Sequence, residues 1–181
     1  TYVQNLPMPM KHHRVKDTAA KAHKDGRGFV DMQAGPITNW EEFEKYPWPD
    51  VAKADLREFD LYTKLMPEGM CMAARGMGHF CEHICWLMGY ETLCYALFDQ
   101  RDLVRAIFEK QLAMDKAKLK LMLQYDRVKI SWASDDMGFR TGTLISPDDT
   151  REFVLAGHKE LAAISHAAGR PYYLHSCGRL Q

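Results

Sequence analysis

The chain has 181 residues, 46% of them hydrophobic and 27% charged, with 24 basic and 24 acidic side chains and so no net charge. That balance suits a globular protein with a buried core and lacks the basic excess of a nucleic-acid binder. No apolar run reaches the roughly eighteen residues that span a bilayer, and five irregularly spaced cysteines, an odd number, point to reduced thiols in a cytoplasm rather than a secreted disulfide framework.

Up to Thr38 the pattern is mixed. Lys11-His12-His13-Arg14 and the stretch Lys21 to Lys24 form a solvated basic patchwork. Gly28-Phe29-Val30-Asp31-Met32 reads as a short strand before the Gly35-Pro36 turn. Asn39 is an N-cap for a short helix through Glu44, which Pro47-Trp48-Pro49 stops. Asp50 is expected to cap the next helix, where Leu56, Phe59, Thr63 and Met66 keep a helical period up to Pro67. Gly69 to Arg75 reads as a buried strand, and helices are expected from about His79 to Met88 and, beyond Gly89, from Glu91 to Phe98. The longest helix follows, with Asp99 as its cap, Asp102 in its first turn and an apolar stripe through Val104, Ile107, Phe108, Leu112, Leu119 and Met122. Val128 to Ala133 is a second strand. Ser146-Pro147-Asp148-Asp149 supplies an N-cap, a proline at N1 and an acid at N3 for a helix to about Ala168, where Gly169 terminates it. Tyr172 to Leu174 is the third strand.

Contiguously apolar strands alternating with helices are the mark of a parallel sheet covered by helices, so the expected class is α/β. There are no internal repeats and no linker that divides the chain, which predicts a single domain. The polar candidates all follow the carboxyl ends of strands, where barrel and doubly wound folds keep their active sites. Glu82 follows the first strand, Asp135 and Asp136 the second, His175 and Cys177 the third.

His175 and Cys177 are two apart, so a strand end sends both to one side, an imidazole beside a thiol. That pair suits zinc, yet a catalytic zinc site takes three protein ligands and an open position. Nothing after Cys177 supplies a third. The plain alternative is a buried thiol beside a satisfied histidine. Glu82 either ligates metal, handles a proton or interacts with the helix N-terminus. Asp135 and Asp136 open the loop Met137-Gly138-Phe139-Arg140-Thr141-Gly142; paired carboxylates bind a substrate amine or hold a proton between them, or form a solvated turn with Arg140 as counter-ion. His79 and His83, and Cys81 and Cys85, share helix faces in pairs, which offers a separate metal site or, beside Ile84, Trp86 and Leu87, a core face. Gly76-x-Gly78 lacks the third glycine of a dinucleotide fingerprint, since Cys81 stands there.

The stretch Asp135-Asp136-Met137-Gly138 through Ser146-Pro147, a helix, then Leu174-His175-Ser176-Cys177-Gly178 resembles the uroporphyrinogen decarboxylase superfamily. More narrowly it resembles the corrinoid-dependent methyltransferases, which include methylcobalamin:coenzyme M methyltransferases and the methyltransferase components of O-demethylases. Tyr46-Pro47-Trp48-Pro49-Asp50 and Glu82 with Leu87-Met88-Gly89-Tyr90-Glu91 add to the match, which runs from about Trp40 to the end.

The resemblance implies a (β/α)8 barrel of which residues 1–181 hold the middle, a partial TIM barrel lacking strands at both ends. It implies that His175 and Cys177 ligate zinc together with a later cysteine that this chain does not hold. Glu82 and Asp136 take the catalytic positions, and Asp135, Gly138 and Arg140 contact substrate. The implied reaction moves a methyl group between a corrinoid such as methylcobalamin, carried on a partner corrinoid protein, and a small thiol, ether or amine, with no role for nucleic acid or membrane. The rivals are a uroporphyrinogen decarboxylase of porphyrin biosynthesis, which lacks this His-x-Cys pair and expects more basic residues than Arg140, Arg151 and Arg179, and a non-catalytic relative.

Overall fold

The structure, a computed structural model, describes residues 1–16 and 28–180; the basic stretch expected at 21–24 lies outside them. In chain order the elements are strands β1 (Tyr2–Asn5), β2 (Arg14–Lys16) and β3 (Gly28–Val30), helix α1 (Trp40–Lys45), a 3-10 turn (Val51–Lys53), helix α2 (Arg57–Leu65) and strand β4 (Met72–Arg75). Helices α3 (Phe80–Met88), α4 (Tyr90–Asp99) and α5 (Arg101–Met122) follow, then strand β5 (Val128–Ser134). A helix in three segments, α6 (Pro147–Asp149), a π-helical turn (Thr150–Leu155) and α7 (Ala156–Ala167), leads to strand β6 (Tyr172–His175).

The protein is α/β, with a parallel four-stranded sheet in the order β1-β4-β5-β6. The sequence predicted three of these strands. Tyr2–Asn5 escaped because only Tyr2 and Val3 in it are apolar, and its place is fixed by pairing with Met72 to Arg75. Among the described residues no helix is long and apolar enough to cross a membrane.

The chain divides into two compact units. The first comprises Thr1–Pro9, Pro49–Cys81 and Phe108–Gln181 and holds the sheet. Alternation along the strands gives the sheet two unlike faces. Gln4, Met72, Ala74, Ser131 and Ala133 are buried. On that side Gln4 donates to Glu58 of α2 at 2.6 Å, and Ser131 Oγ meets Ser165 Oγ of α7 at 2.7 Å. The opposite face shows Val3, Trp132 and Tyr173 to solvent. The turn from β4 into α3 is held from beneath by α5. Asp115 accepts the Gly78 N–H at 2.9 Å, Lys118 donates to the Gly76 carbonyl, and the two side chains form a buried ion pair at 2.9 Å. Gly78 has φ +71°, and a Cβ there would lie 2.8 Å from that of Ala133, so only glycine fits.

The second unit comprises Met10–Trp48 and Glu82–Ile107. Here β2 and β3 form an antiparallel ribbon, and the segment after it is tied to the α3–α4 junction by Tyr90 N–H to the Met32 carbonyl at 2.6 Å and Ile37 N–H to the Leu87 carbonyl at 2.9 Å. Asn39 caps α1 as the sequence implies, its side chain accepting the Glu42 N–H.

Several boundaries differ from expectation for local reasons. Asp50 accepts the Ala52 N–H and closes only a 3-10 turn. α2 starts afresh at Arg57, whose N–H goes to Asp55 at 3.0 Å. Asp99 ends α4 rather than capping α5. The strand expected from Gly69 is β4 and begins only at Met72, since Met70 stands exposed ahead of it. The last helix is interrupted by the π-helical turn, with Phe153 and Val154 buried on it.

Candidate metal centre

Parallel pairing places the site. Ser134 at the end of β5 lies opposite His175 at the end of β6. Two residues past each strand end stand Asp136 and Cys177, and an equal advance from that paired position brings them together. The Cys177 N–H donates to Asp136 Oδ1 at 3.0 Å. Cys177 Sγ lies 3.5 Å from His175 Nε2, which lies 4.0 Å from Asp136 Oδ1. One donor atom from each of the three falls within 4.8 Å of the others.

This arrangement fits a small divalent ion. Tetrahedral zinc with bonds of about 2.0–2.3 Å separates its ligands by roughly 3.3–3.8 Å, so the His175–Cys177 spacing needs no change and Asp136 needs only a small closure. A thiol, an imidazole and a carboxylate form a borderline donor set, which suits zinc better than calcium or magnesium. Asp136 and His175 are about half exposed, so the group opens to solvent and leaves room for a further ligand.

The loop after Asp136 folds onto the segment after β6. Gly138 bridges Thr143, Arg179 N–H donates to the Phe139 carbonyl at 2.8 Å, and Met137 N–H donates to Ser176 Oγ at 3.3 Å. Gly178, with φ +93°, lies so close that a Cβ would stand 2.2 Å from the Gly138 carbonyl carbon. Gly138 is thus in backbone contact with the strand end that bears Cys177. Arg140 stands exposed at the tip of the loop.

Asp135 has a different setting from its neighbour. It is fully buried, accepts the Cys81 N–H with both oxygens at 2.9 and 3.0 Å, and meets His158 Nε2 at 3.1 Å. Of the residues singled out in the sequence, the structure therefore brings Asp136, His175 and Cys177 into one group, sets Asp135 beneath it in the core and keeps Arg140 on the loop tip. Glu82 lies in the first turn of α3, on the second compact unit.

Two features escaped the sequence reading. Asp136, given a catalytic position there, also offers a third metal-type donor atom; the parallel pairing of β5 with β6 that brings it beside Cys177 is not visible in the chain. His158 belongs to no motif, but Val154, His158, Leu161 and Ser165 share a helical period that marks a buried face. No family model, curated protein or solved structure matches this chain.

Proposed function

We propose that this chain belongs to a zinc-dependent methyltransferase of the uroporphyrinogen decarboxylase superfamily, moving a methyl group between a corrinoid and a thiol, ether or amine. The observation that carries this reading is the convergence of Asp136, His175 and Cys177 at the carboxyl ends of two adjacent parallel strands. His175 Nε2, Cys177 Sγ and a carboxylate oxygen of Asp136 would hold the ion, on a side open to solvent from which substrate could reach it. Bound there, zinc supplies a Lewis acid that keeps a substrate thiol as thiolate at neutral pH, or polarises the oxygen or nitrogen losing its methyl group.

The chain's own groups do the rest. The Cys177 N–H, donating to Asp136, orients that carboxylate toward the other two donors. The loop from Met137 to Leu144 walls one side, with Arg140 at its tip positioned to meet an anionic group of substrate or partner. The corrinoid, brought by a partner protein, enters the reading through the sequence resemblance.

The sheet order supports a partial barrel. Strands β1, β4, β5 and β6 neighbour one another in chain order and are all parallel, as consecutive strands of a (β/α)8 barrel are, whereas a doubly wound sheet reverses its order at a switch point. In this reading residues 1–181 are one incomplete barrel domain, and the five free thiols match a reducing cytoplasm.

Zinc content tests the proposal. The wild-type chain, purified and dialysed against zinc, is expected to retain about one ion, and Cys177→Ala and Asp136→Asn are expected to lose it. No zinc in any of the three would return His175 and Cys177 to structural roles and put a decarboxylase or a non-catalytic relative ahead.

A further inference from the structure

His158 lies on α7 with 4% of its surface exposed, and both ring nitrogens are engaged. Nδ1 is 2.8 Å from the Tyr172 hydroxyl, and Nε2 is 3.1 Å from Asp135 Oδ2. The Asp135 carboxylate can only accept, so the ring nitrogen facing it, Nε2, carries the proton, and Nδ1 of the neutral ring accepts from the Tyr172 hydroxyl, whose proton is held by burial and by the charges of Asp115 and Asp135. The ring has little room to move. Phe80 packs edge-on with centroids 5.0 Å apart, and a Cβ on Gly78 would stand 3.2 Å from His158 Cε1.

Asp135 passes this restraint to the strand ends. Its N–H donates to the His175 carbonyl at 2.9 Å, and its own carbonyl carbon is bonded to Asp136. Fixing the Asp135 side chain therefore fixes two of the three donors, Asp136 through the chain and His175 through a backbone hydrogen bond.

We propose that His158 is a positioning residue for the Asp136–His175–Cys177 group, acting through Asp135. The inference rests on the metal-binding reading of that group. Hydrogen-bond partners that orient a site from behind typically change metal affinity about 10–100-fold when removed.

Two substitutions separate positioning from simple packing. A glutamine amide reaches the place of Nε2 and can still donate to Asp135, whereas an asparagine amide reaches only the place of Nδ1. Cobalt(II) serves as the probe, because its visible spectrum reports thiolate ligation and coordination geometry. It is titrated into the 181-residue chain as wild type, His158→Gln, His158→Asn and Cys177→Ala, well below the unfolding temperature of each. The expected result is a Cys177-dependent spectrum in wild type, about 10–100-fold weaker binding with an altered spectrum in His158→Asn, and recovery toward wild type in His158→Gln. If both His158 variants bind like wild type while unfolding more easily, His158 is only a core residue and the proposal fails with the metal reading intact. If wild type shows no Cys177-dependent spectrum, the metal reading fails and takes the proposal with it.

Discussion

Asp135 and Asp136 are identical side chains one bond apart with opposite fates. Strand alternation turns Asp135 into the core, where a backbone N–H and an imidazole meet it, and turns Asp136 out toward Cys177. Asp135→Asn is therefore expected to be the more damaging to stability, by about 1–3 kcal/mol, because an amide cannot accept with both ends. Asp136→Asn should leave the urea midpoint of the metal-free chain nearly unchanged while abolishing zinc retention. Gly178 is equally constrained. Gly178→Ala combines a left-handed backbone with a backbone clash at Gly138, and an unfolding loss of about 2 kcal/mol or more is expected, together with weaker zinc binding. Tyrosines give a pH signature. Burial raises the Tyr46 phenol to about 12, and burial with the nearby Asp60 carboxylate raises Tyr125 to about 12. Each folded-state value lies above the unfolded one near 10, so the associated stability is complete below pH 10 and lost as the pH rises toward 12. Denaturant midpoints measured across that interval should fall, and they should fall less in Tyr46→Phe.

At the scale of elements, short-range chemistry decides where helices begin, and packing decides how they continue. Ser146 accepts the Asp149 N–H at 3.1 Å and donates to its carboxylate at 2.6 Å, with Pro147 at the first helical position. Removing that cap in Ser146→Ala should cost about 1 kcal/mol, read as a lower thermal midpoint. Past the cap the helix widens into a π-helical turn that buries Thr150, Phe153 and Val154 before α7 resumes and presents His158 inward. The buried Asp115–Lys118 pair is the stronger restraint, since it anchors the turn that leads from β4 into α3. Asp115→Ala would leave a buried ammonium unmatched and is expected to destabilise by about 3–5 kcal/mol.

On the scale of the whole molecule, the sheet has an open face. Trp132 and Tyr173 are 37% and 59% exposed, and with Ile130 and Leu174 they line a cavity of about 390 Å³ that His175 borders. Among the described residues β6 is an edge strand, and unpaired edges beside apolar side chains favour association. Sedimentation velocity of the chain should show self-association, reduced by replacing Trp132 and Tyr173 together with glutamine; a sharp monomer boundary with cooperative unfolding would contradict this.

Only local order can be read off the chain. The apolar runs at Met72–Arg75 and Val128–Ser134, the caps at Asn39 and Ser146 and the His-x-Cys spacing on β6 all follow from neighbours within a few residues, because periodicity, capping and side-chain alternation are short-range effects. Tertiary structure decided the rest. β1 exists because β4 offers it a partner seventy residues away, shown by Tyr2 opposite Met72. The third donor and the His158 tether depend on strand register and on how α7 lies against β5. Register is a property of paired strands, and no single stretch of chain carries it.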